Sequence, residues 1–347
     1  MKPITKLLKP GDGIITTDYV IPYEVFSFSG QSDLDTWNLR NTFEDFGPCV
    51  YSEWLVDELP FCLQRIKDLV YAFPFWQHRA ITGRPPVKEH YLMIGYLIKQ
   101  FFQATYRQTE AWLYLLKDFF GIQKVPDHTT FSLKNRTKRW SVIWKRFHKY
   151  VLSFLPKRAT TIATDATGFS GQKVGWNDVP YQIKANQDWV KLHATVETDF
   201  FFILSYELTK SNVHDSQKFK DLWINLPINV EPNRSLADSA YSNHDCTQVV
   251  RNLGAIPYHG IKKNAILHLK PVSPFEKMIN FGKHFPNRYA EIYNKRNHAE
   301  TVFSMIGSRF GHRIRCRTKI GRKNEIQSKI NAHNIRAMAI LMYLNLI

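Results

Sequence analysis

The order of strands and helices predicted after residue 160 constrains the fold of this chain more than any other sequence feature. Three runs rich in β-branched and aromatic residues follow one another there, and a helix, a strand, a helix and a further strand come next. The five strand-like runs are TTIATDA, WVKLHATVET, FFFILSYELT, RSLADSA and AIPYHG. Three sequential strands followed by alternation predict a mixed sheet with helices packed on it.

The first 150 residues are predicted to be mostly helical, so the predicted fold class is α+β. A turn-rich arm over residues 1–50 precedes helical patterns at residues 53–72 and in VKEHYLMIGYLIKQFFQ. A capping box, Thr105 to Gln108, opens the next helix, Gly121 ends it, and Asp127 caps the helix that begins HTTFSLKNRTKRW. Residues 151–347 form the mixed-sheet region, which ends in basic helices at about residues 287–307 and from about residue 324.

Positive charge is concentrated in two stretches of the chain. The net charge is +17, with an excess of basic residues over residues 101–150 and 241–347. This distribution favours a protein that grips a polyanion at two places, and the alternatives are a solvated basic face or an anionic membrane surface. We find no apolar run of membrane-helix length, no signal peptide and no CxxC pair, and therefore expect a cytoplasmic, nucleoid-associated protein with free thiols.

The sequence over about residues 105–140 predicts a helix-turn-helix unit. Hydroxyl and amide side chains at the start of its second helix would meet base edges, and the basic side chains behind them would meet phosphates. A helical hairpin whose polar face is merely solvated is the alternative. The residues expected to meet bases or phosphates are Thr129, Thr130, Ser132, Asn135, Arg136, Lys138 and Arg139.

Three acids occupy positions that suit metal-dependent chemistry. Asp165 lies in the strand segment ATDATG, Asp238 ends the strand segment LADSAYSN, and Glu300 lies on the helix YNKRNHAETVF. Carboxylates that converge from separate elements can hold the divalent ions of phosphoryl transfer. Taken singly, each acid is better explained by structure, as an Arg296–Glu300 ion pair on one helix face or as a turn-capping aspartate, whereas the three together favour metal binding. Other acids beside turns are better explained as helix caps, namely Asp199, Asp215 and Asp245.

These segments resemble the DDE transposases of prokaryotic insertion sequences, in the groups numbered four and five. The resemblance covers about residues 85–345 and rests on ATDATG, LADSAYSN and YNKRNHAETVFSMIGSRFG, with further likeness in VPDHTTFS, VHDSQKF and IPYHGIKKNA. The signature of that group is Tyr, two residues, Arg, three residues, Glu, six residues, then Lys or Arg. Tyr293, Arg296 and Glu300 match it, whereas position 307 is Gly and the nearest basic residue is Arg309.

The resemblance implies a ribonuclease H-like catalytic domain over residues 151–347. In it, Asp165, Asp238 and Glu300 would be catalytic and would hold two Mg²⁺ ions, for which Mn²⁺ could substitute. The implied activity is DNA transposition, with cleavage at transposon ends and strand transfer into target DNA by a homodimer on double-stranded DNA. A stand-alone nuclease of the same fold and a non-catalytic DNA-binding descendant of a transposase are the alternatives. Further residues expected to contact DNA are Tyr293, Lys295, Arg296, Arg309, Arg313, Arg315, Arg317, Lys262 and Lys263.

Overall fold

The computed structural model of the chain describes residues 48–75, 87–171 and 189–346, so most of the predicted arm lies outside the described residues. Helices make up the described part of the first 150 residues. Their bounds are α1 Pro48–Ala72, α2 Glu89–Phe101, α3 Tyr106–Phe120, α4 His128–Lys134 and α5 Lys138–Leu152. Helix α2 is buried along nearly its whole length because its sequence is apolar on every face.

A five-stranded mixed sheet follows the helices. Its strands are β1 Arg158–Phe169, β2 Val190–Glu197, β3 Ile203–Lys210, β4 Val230–Ala237 and β5 Ile256–His259, with α6 Ser216–Ile224 and α7 His244–Asn252 between the later ones. The order is β3-β2-β1-β4-β5; β2 pairs antiparallel with β1 and β3, whereas β4 pairs parallel with β1 and β5. This confirms the predicted fold class, a helical N-terminal region followed by a ribonuclease H-like mixed sheet.

The last part of the chain is helical but differs from the prediction. It contains α8 Pro274–His284, α9 Pro286–Tyr293, a 3₁₀ turn Asn294–Arg296, α10 Asn297–Phe310 and α11 Lys319–Tyr343. The single long helix predicted over residues 287–307 is therefore wrong, because the 3₁₀ turn divides it. Helix α8 was not predicted, although Ser273 and Glu276 form a complete capping box at its start.

The predicted helix-turn-helix region has the expected caps but a shorter second helix. Thr105 and Gln108 form the capping box of α3, Gly121 ends that helix with a φ of 62°, and Asp127 accepts a hydrogen bond from the Thr130 amide. The second helix ends at Lys134, where a continuous helix had been predicted. The Asn324 side chain on α11 donates to the carbonyls of Asn135 and Thr137 and so satisfies the break.

One hydrophobic core joins the helices to the sheet. Helix α11 packs against α1, α2, α5 and β3, and its Asn334 side chain bonds both the amide and the carbonyl of Ile203 on β3. Buried residues of both regions belong to one continuous cluster. The division into domains near residue 150 therefore stays a prediction. No helix in the described part of the chain is long and apolar enough to cross a membrane.

Candidate active site

Two of the three predicted acids lie side by side on adjacent strands, Asp165 within β1 and Asp238 directly after β4. In the parallel pair of β1 and β4, Thr164 lies opposite Ala237, so Asp165 and Asp238 are the next residues on neighbouring strands. Adjacent strands run about 4.8 Å apart, which brings the two carboxylates to the same edge of the sheet. Each accepts a local amide hydrogen bond, Asp165 from Ala166 at 2.8 Å and Asp238 from Ala240 at 2.7 Å.

Arg296 connects the third acid to this pair. It lies in the 3₁₀ turn just before α10, and Glu300 lies in the first turn of that helix. The Arg296 Nη2 atom is 2.9 Å from Glu300 Oε1, and its Nη1 atom is 3.6 Å from Asp165 Oδ2. The guanidinium therefore lies between the strand acids and the helix acid. We refer to Asp165, Asp238 and Glu300 as the acid cluster.

The acid cluster has more negative charge than its surroundings neutralise. Burial raises the pKa of Asp165 to about 6, the charges of Asp238 and Glu300 act in the same direction, and the Ala166 amide and Arg296 oppose them. Burial acts to lower the pKa of Arg296, but Tyr293, Asp165 and Glu300 together raise it. Both shifts show that the cluster favours additional positive charge.

The chemistry of the acid cluster fits a hard divalent cation, although its ligands are not assembled. All its donor atoms are carboxylate oxygens, which are the donors that Mg²⁺ and Mn²⁺ prefer. Within the described ranges, no group of three His, Cys, Asp or Glu side chains is arranged to hold a metal ion. The Arg296 guanidinium lies among the acids instead, and the Glu300 side chain is 59% exposed and so has room to turn.

Two tyrosines border the acid cluster. A Cβ atom on Gly260 would lie 2.8 Å from the Tyr293 hydroxyl and 2.7 Å from the Ser239 amide, so only glycine allows this close approach. Tyr241 was not singled out from the sequence. Burial raises its pKa well above the ordinary value, and Asp215, Asp165 and Asp238 add to the effect. No spacing pattern in the sequence marks this residue.

Asp215, which was expected to be a helix cap, makes no capping hydrogen bond. Its Oδ1 atom lies 2.6 Å from Lys191 Nζ and 3.3 Å from His193 Nδ1, both on β2. Burial acts to raise the pKa of Asp215, but hydrogen bonds from His193 and Lys191 outweigh it and lower the pKa. The expectation of a cap is wrong because this carboxylate binds Lys191 and His193 of β2 instead.

Comparison with known proteins identifies the family. Residues 156–335, which are more than half of the chain, match the family model described as transposase DDE domain. The chain belongs to the transposase DDE domain family. Searches of curated proteins and of solved structures give no significant match. Membership implies transposase-type activity, and the family typically uses divalent metal. The whole acid cluster lies within the matched DDE domain.

Asn135 lies away from any surface that DNA could reach, so its predicted role as a base-reading residue is contradicted. The residue is only 3% exposed, and its side-chain amide donates to Cys316 Sγ and to the Gly321 carbonyl, both at 3.1 Å. It fixes the end of α4 to the start of α11. From the sequence alone its amide had looked available, because its partners lie more than 180 positions further along the chain.

Arg309, the predicted replacement for the basic end of the family signature, is half-buried and paired within the protein. Its guanidinium lies 2.8 Å from Glu58 on α1 and donates to the Phe101 carbonyl. At position 307, where the signature has Lys or Arg, a Cβ atom would lie within 2 Å of the His312 ring. Gly307 therefore leaves room for the His312 ring. Position 307 has no side-chain charge for DNA, and the Arg309 charge is paired with Glu58.

The remaining predicted DNA contacts fall into two groups. Some side chains are engaged locally: Thr129 and Thr130 with Asp127, Ser132 with Arg136, Arg139 with Glu89, and Lys295 with Asp199 at 3.9 Å. Others belong to exposed residues on the segments that follow β5 and α10, namely Lys262, Lys263, Arg313, Arg315 and Arg317. The second group offers more accessible positive charge than the first.

Proposed function

We propose that this protein is a DNA transposase that cuts double-stranded DNA at the ends of a mobile element and joins the freed strand to target DNA. The observation that carries the proposal is that Asp238 lies beside Asp165 and that Arg296 links Asp165 to Glu300, inside a matched DDE domain. An insertion-sequence origin in the group numbered four or five, and a homodimer on DNA, belong to the same proposal.

The acid cluster would hold two Mg²⁺ ions, with Asp165 and Asp238 as neighbouring ligands and Glu300 completing the set. When bound, such ions stabilise the attacking and leaving oxygens of a phosphodiester during in-line displacement. The raised pKa of Asp165 supports this assignment, because a bound cation would relieve the repulsion that contributes to it. Ligands from two strands and one helix also place the site on rigid elements.

Arg296 and Tyr293 would position the DNA backbone beside the acids. Arg296 offers a planar, permanently charged group that suits a phosphate oxygen pair, and its present partners are carboxylates that metal ions would neutralise. Burial raises the pKa of Tyr293, so this phenol stays protonated and donates a hydrogen bond at neutral pH. The exposed Lys262 and Lys263 follow β5 and would extend the phosphate-binding surface.

The helical region would supply sequence preference. Thr129, Thr130 and Ser132 stand at the start of α4, and Arg136, Lys138 and Arg139 follow them. The hydroxyls now bond within α4 or to its cap, so reading a base would require them to exchange those partners. Asn135 is excluded from this set by its burial.

The test uses a plasmid that carries the gene with its flanking DNA, scored for cutting and strand transfer on denaturing gels. Replacing Asp165 by Asn, Asp238 by Asn or Glu300 by Gln should lower metal-dependent cutting by at least about 10³-fold, since metal stabilisation of the transition state amounts to several kcal/mol. Binding to the element ends should be kept or slightly strengthened, because each change removes one negative charge.

Glu291→Gln is the matched control, since it removes an exposed acid of α9 that lies outside the acid cluster. It should cut like the unaltered protein. Robust cutting by Glu300→Gln would leave its contact with Arg296 as an ordinary helix ion pair. Hydrolysis without any strand-transfer product would favour a nuclease over a transposase.

A further inference from the structure

A cleft of about 380 Å³ lies between the helical region and the C-terminal segment, apart from the acid cluster. One wall is the end of α2 and the turn into α3; the other is the segment between α10 and α11 together with α11 itself. Five of its lining residues are cationic and one is acidic. These ionisable residues are Lys99, Arg313, Arg315, Arg317, Lys329 and Glu325.

The floor of the cleft contains a buried ammonium without a carboxylate of its own. Lys99 is paired with Glu325 at 2.8 Å, so these two charges balance. The Lys329 ammonium donates to the carbonyls of Gly311 and Arg313, and among the described residues no carboxylate lies within ion-pair distance of it. Burial lowers the pKa of Lys329 to about 8, Glu325 opposes this, and Lys99 and Arg315 add to it.

The rim of the cleft carries arginines with available donors. The side chains of Arg315 and Arg317 are exposed and have no hydrogen bond or ion pair to another described residue, while Arg313 uses one nitrogen to bond the Gly171 carbonyl. Arginine forks match the oxygen geometry of phosphate. Thr105, the N-cap of α3, also lines the cleft, so the positive end of that helix dipole faces it.

Two residues in the left-handed region shape the walls. Gln103 has a φ of 46° and Gly311 a φ of 80°. They lie face to face, because a Cβ on Gly311 would be 3.2 Å from the Gln103 side-chain oxygen. The Gln103 amide also donates to the Arg309 carbonyl at 3.1 Å. The helical region and the C-terminal segment are thereby held together at the cleft, which gives it fixed walls.

The cleft lies near the far end of the strand that carries Asp165. The Ile314 amide donates to the carbonyl of Ser170, which is five residues beyond Asp165. At 3.3 Å per residue, the separation along β1 is roughly 17 Å.

We infer that this cleft binds one backbone phosphate of the DNA substrate, at a site separate from the bond that is cut. The inference rests on the proposed function, because the cut is assigned to the acid cluster. A phosphodiester anion would receive hydrogen bonds from Arg315 and Arg317 and would compensate the charge of Lys329. The cleft would therefore set the register of the DNA end relative to the acids, independently of base recognition.

The test compares the double variant Arg315→Gln/Arg317→Gln with the control Lys220→Gln/Arg251→Gln, which removes two exposed basic residues of α6 and α7. The affinity of the full-length protein for end DNA is measured across KCl concentrations. Loss of one phosphate contact should reduce the slope of log affinity against log salt by about 0.9 in the cleft variant, with no change in the control. An unchanged slope in the cleft variant would overturn the inference.

Phosphate ethylation interference locates the contact. For the unaltered protein, ethylating one phosphate away from the cut bond should weaken binding, and this effect should disappear in the cleft variant alone. An identical interference pattern in both proteins would also overturn the inference. Cutting by the unaltered protein in Mg²⁺ separates this failure from failure of the proposed function, which would show as no cutting at all.

A measurement with inorganic phosphate tests whether the cleft binds a free anion. Calorimetric binding of inorganic phosphate that is lost in the cleft variant, together with an unchanged ethylation pattern, would mean that the cleft takes a free phosphate group and not a DNA phosphate. Competition between inorganic phosphate and end DNA that disappears in the cleft variant would support the inference, because both ligands would then occupy the same site.

Discussion

Two clusters of carboxylates and arginines in this protein have opposite charge balance. Around Glu58, which we call the Glu58 cluster, one carboxylate is bound by Arg309 at 2.8 Å and Arg336 at 2.9 Å. Around Arg296, one guanidinium pairs with two carboxylates of the acid cluster, Asp165 and Glu300, and the third, Asp238, also acts on the pKa of Asp165. The same residue types are therefore fully compensated at the junction of α1 with the C-terminal helices and under-compensated at the edge of the sheet.

The pKa values reflect this difference. Burial acts to raise the pKa of Glu58, but Arg336 and Arg309 outweigh it and hold the pKa below its ordinary value. Burial raises the pKa of Asp165 to about 6. The Ala166 amide and Arg296 act to lower this pKa, but they do not outweigh the effect of burial. A compensated cluster stabilises the native state, whereas an under-compensated one is destabilising until a cation binds. The comparison therefore separates structural charge from functional charge better than residue type does.

The largest effect is expected from Glu58→Gln. This change leaves Arg309 and Arg336 facing each other with no carboxylate between them, and breaking such a pair typically costs about 3 kcal/mol. The free energy of unfolding, measured by urea denaturation, should fall by that amount. The control is Arg309→Gln, which should destabilise less, because Arg336 still compensates Glu58. If Glu58→Gln left the free energy of unfolding unchanged, the Glu58 cluster would not be structural.

The Arg309→Gln variant also tests the DNA contact predicted for Arg309. Because this guanidinium is bound to Glu58 and the Phe101 carbonyl, Arg309→Gln should leave the salt slope of DNA binding unchanged once the protein is folded. A reduction of about 0.9 in that slope would restore Arg309 as a phosphate contact and would show that the Glu58 cluster opens on DNA.

Asp165→Asn should have the opposite effect on stability: in the absence of metal it should raise the free energy of unfolding. The native pKa of Asp165 is about 6 against an ordinary 3.8, so the folded state binds the extra proton more tightly than the unfolded state. The resulting destabilisation is fully present above pH 6 and is lost as the pH falls towards 4. At most about 3 kcal/mol is involved, since each pKa unit corresponds to about 1.4 kcal/mol, and the lost Arg296 contact reduces it.

Thermal unfolding at pH 7.5 and pH 4 checks this prediction. The Asn variant should melt higher than the unaltered protein at pH 7.5 and equally at pH 4, while Glu291→Gln should match the unaltered protein at both. Adding Mg²⁺ should stabilise the unaltered protein and not the variant. A lower melting temperature for Asp165→Asn at pH 7.5 would show that the carboxylate is structural.

Local sequence patterns were sufficient for the sheet and for the family. The β-branched and aromatic runs and their order predicted all five strands, because such runs form strands that are largely buried. Asp165 within β1 and Asp238 directly after β4 could be placed for the same reason. The Glu300 helix could also be predicted, but not the 3₁₀ turn that places Arg296 between the acids.

What the sequence could not supply are the partners of polar side chains. Asn135 and Arg309 each looked available for DNA, and both bond residues far away in the chain. The break between α4 and α5 depends on Asn324 of α11, which no local pattern reveals. Helix α8 is a different case, because its start is marked locally by the capping box of Ser273 and Glu276.

The smallest effect, and the sharpest test of the comparison, is expected from Arg296→Ala. Without metal, the acid cluster loses the arginine that offsets its charge, but Glu300 is well exposed and solvent screens it, so the loss of stability should be only about 1 kcal/mol. With millimolar Mg²⁺ the loss should disappear, because bound cations replace the guanidinium charge. Arg336→Ala in the Glu58 cluster is the matched control, and its loss should not respond to Mg²⁺, since no vacant ligand set is created there. Urea denaturation of both variants with and without Mg²⁺ measures the difference. A Mg²⁺ response that is equal in the two variants, or absent from both, would show that charge balance does not distinguish the acid cluster from a structural one.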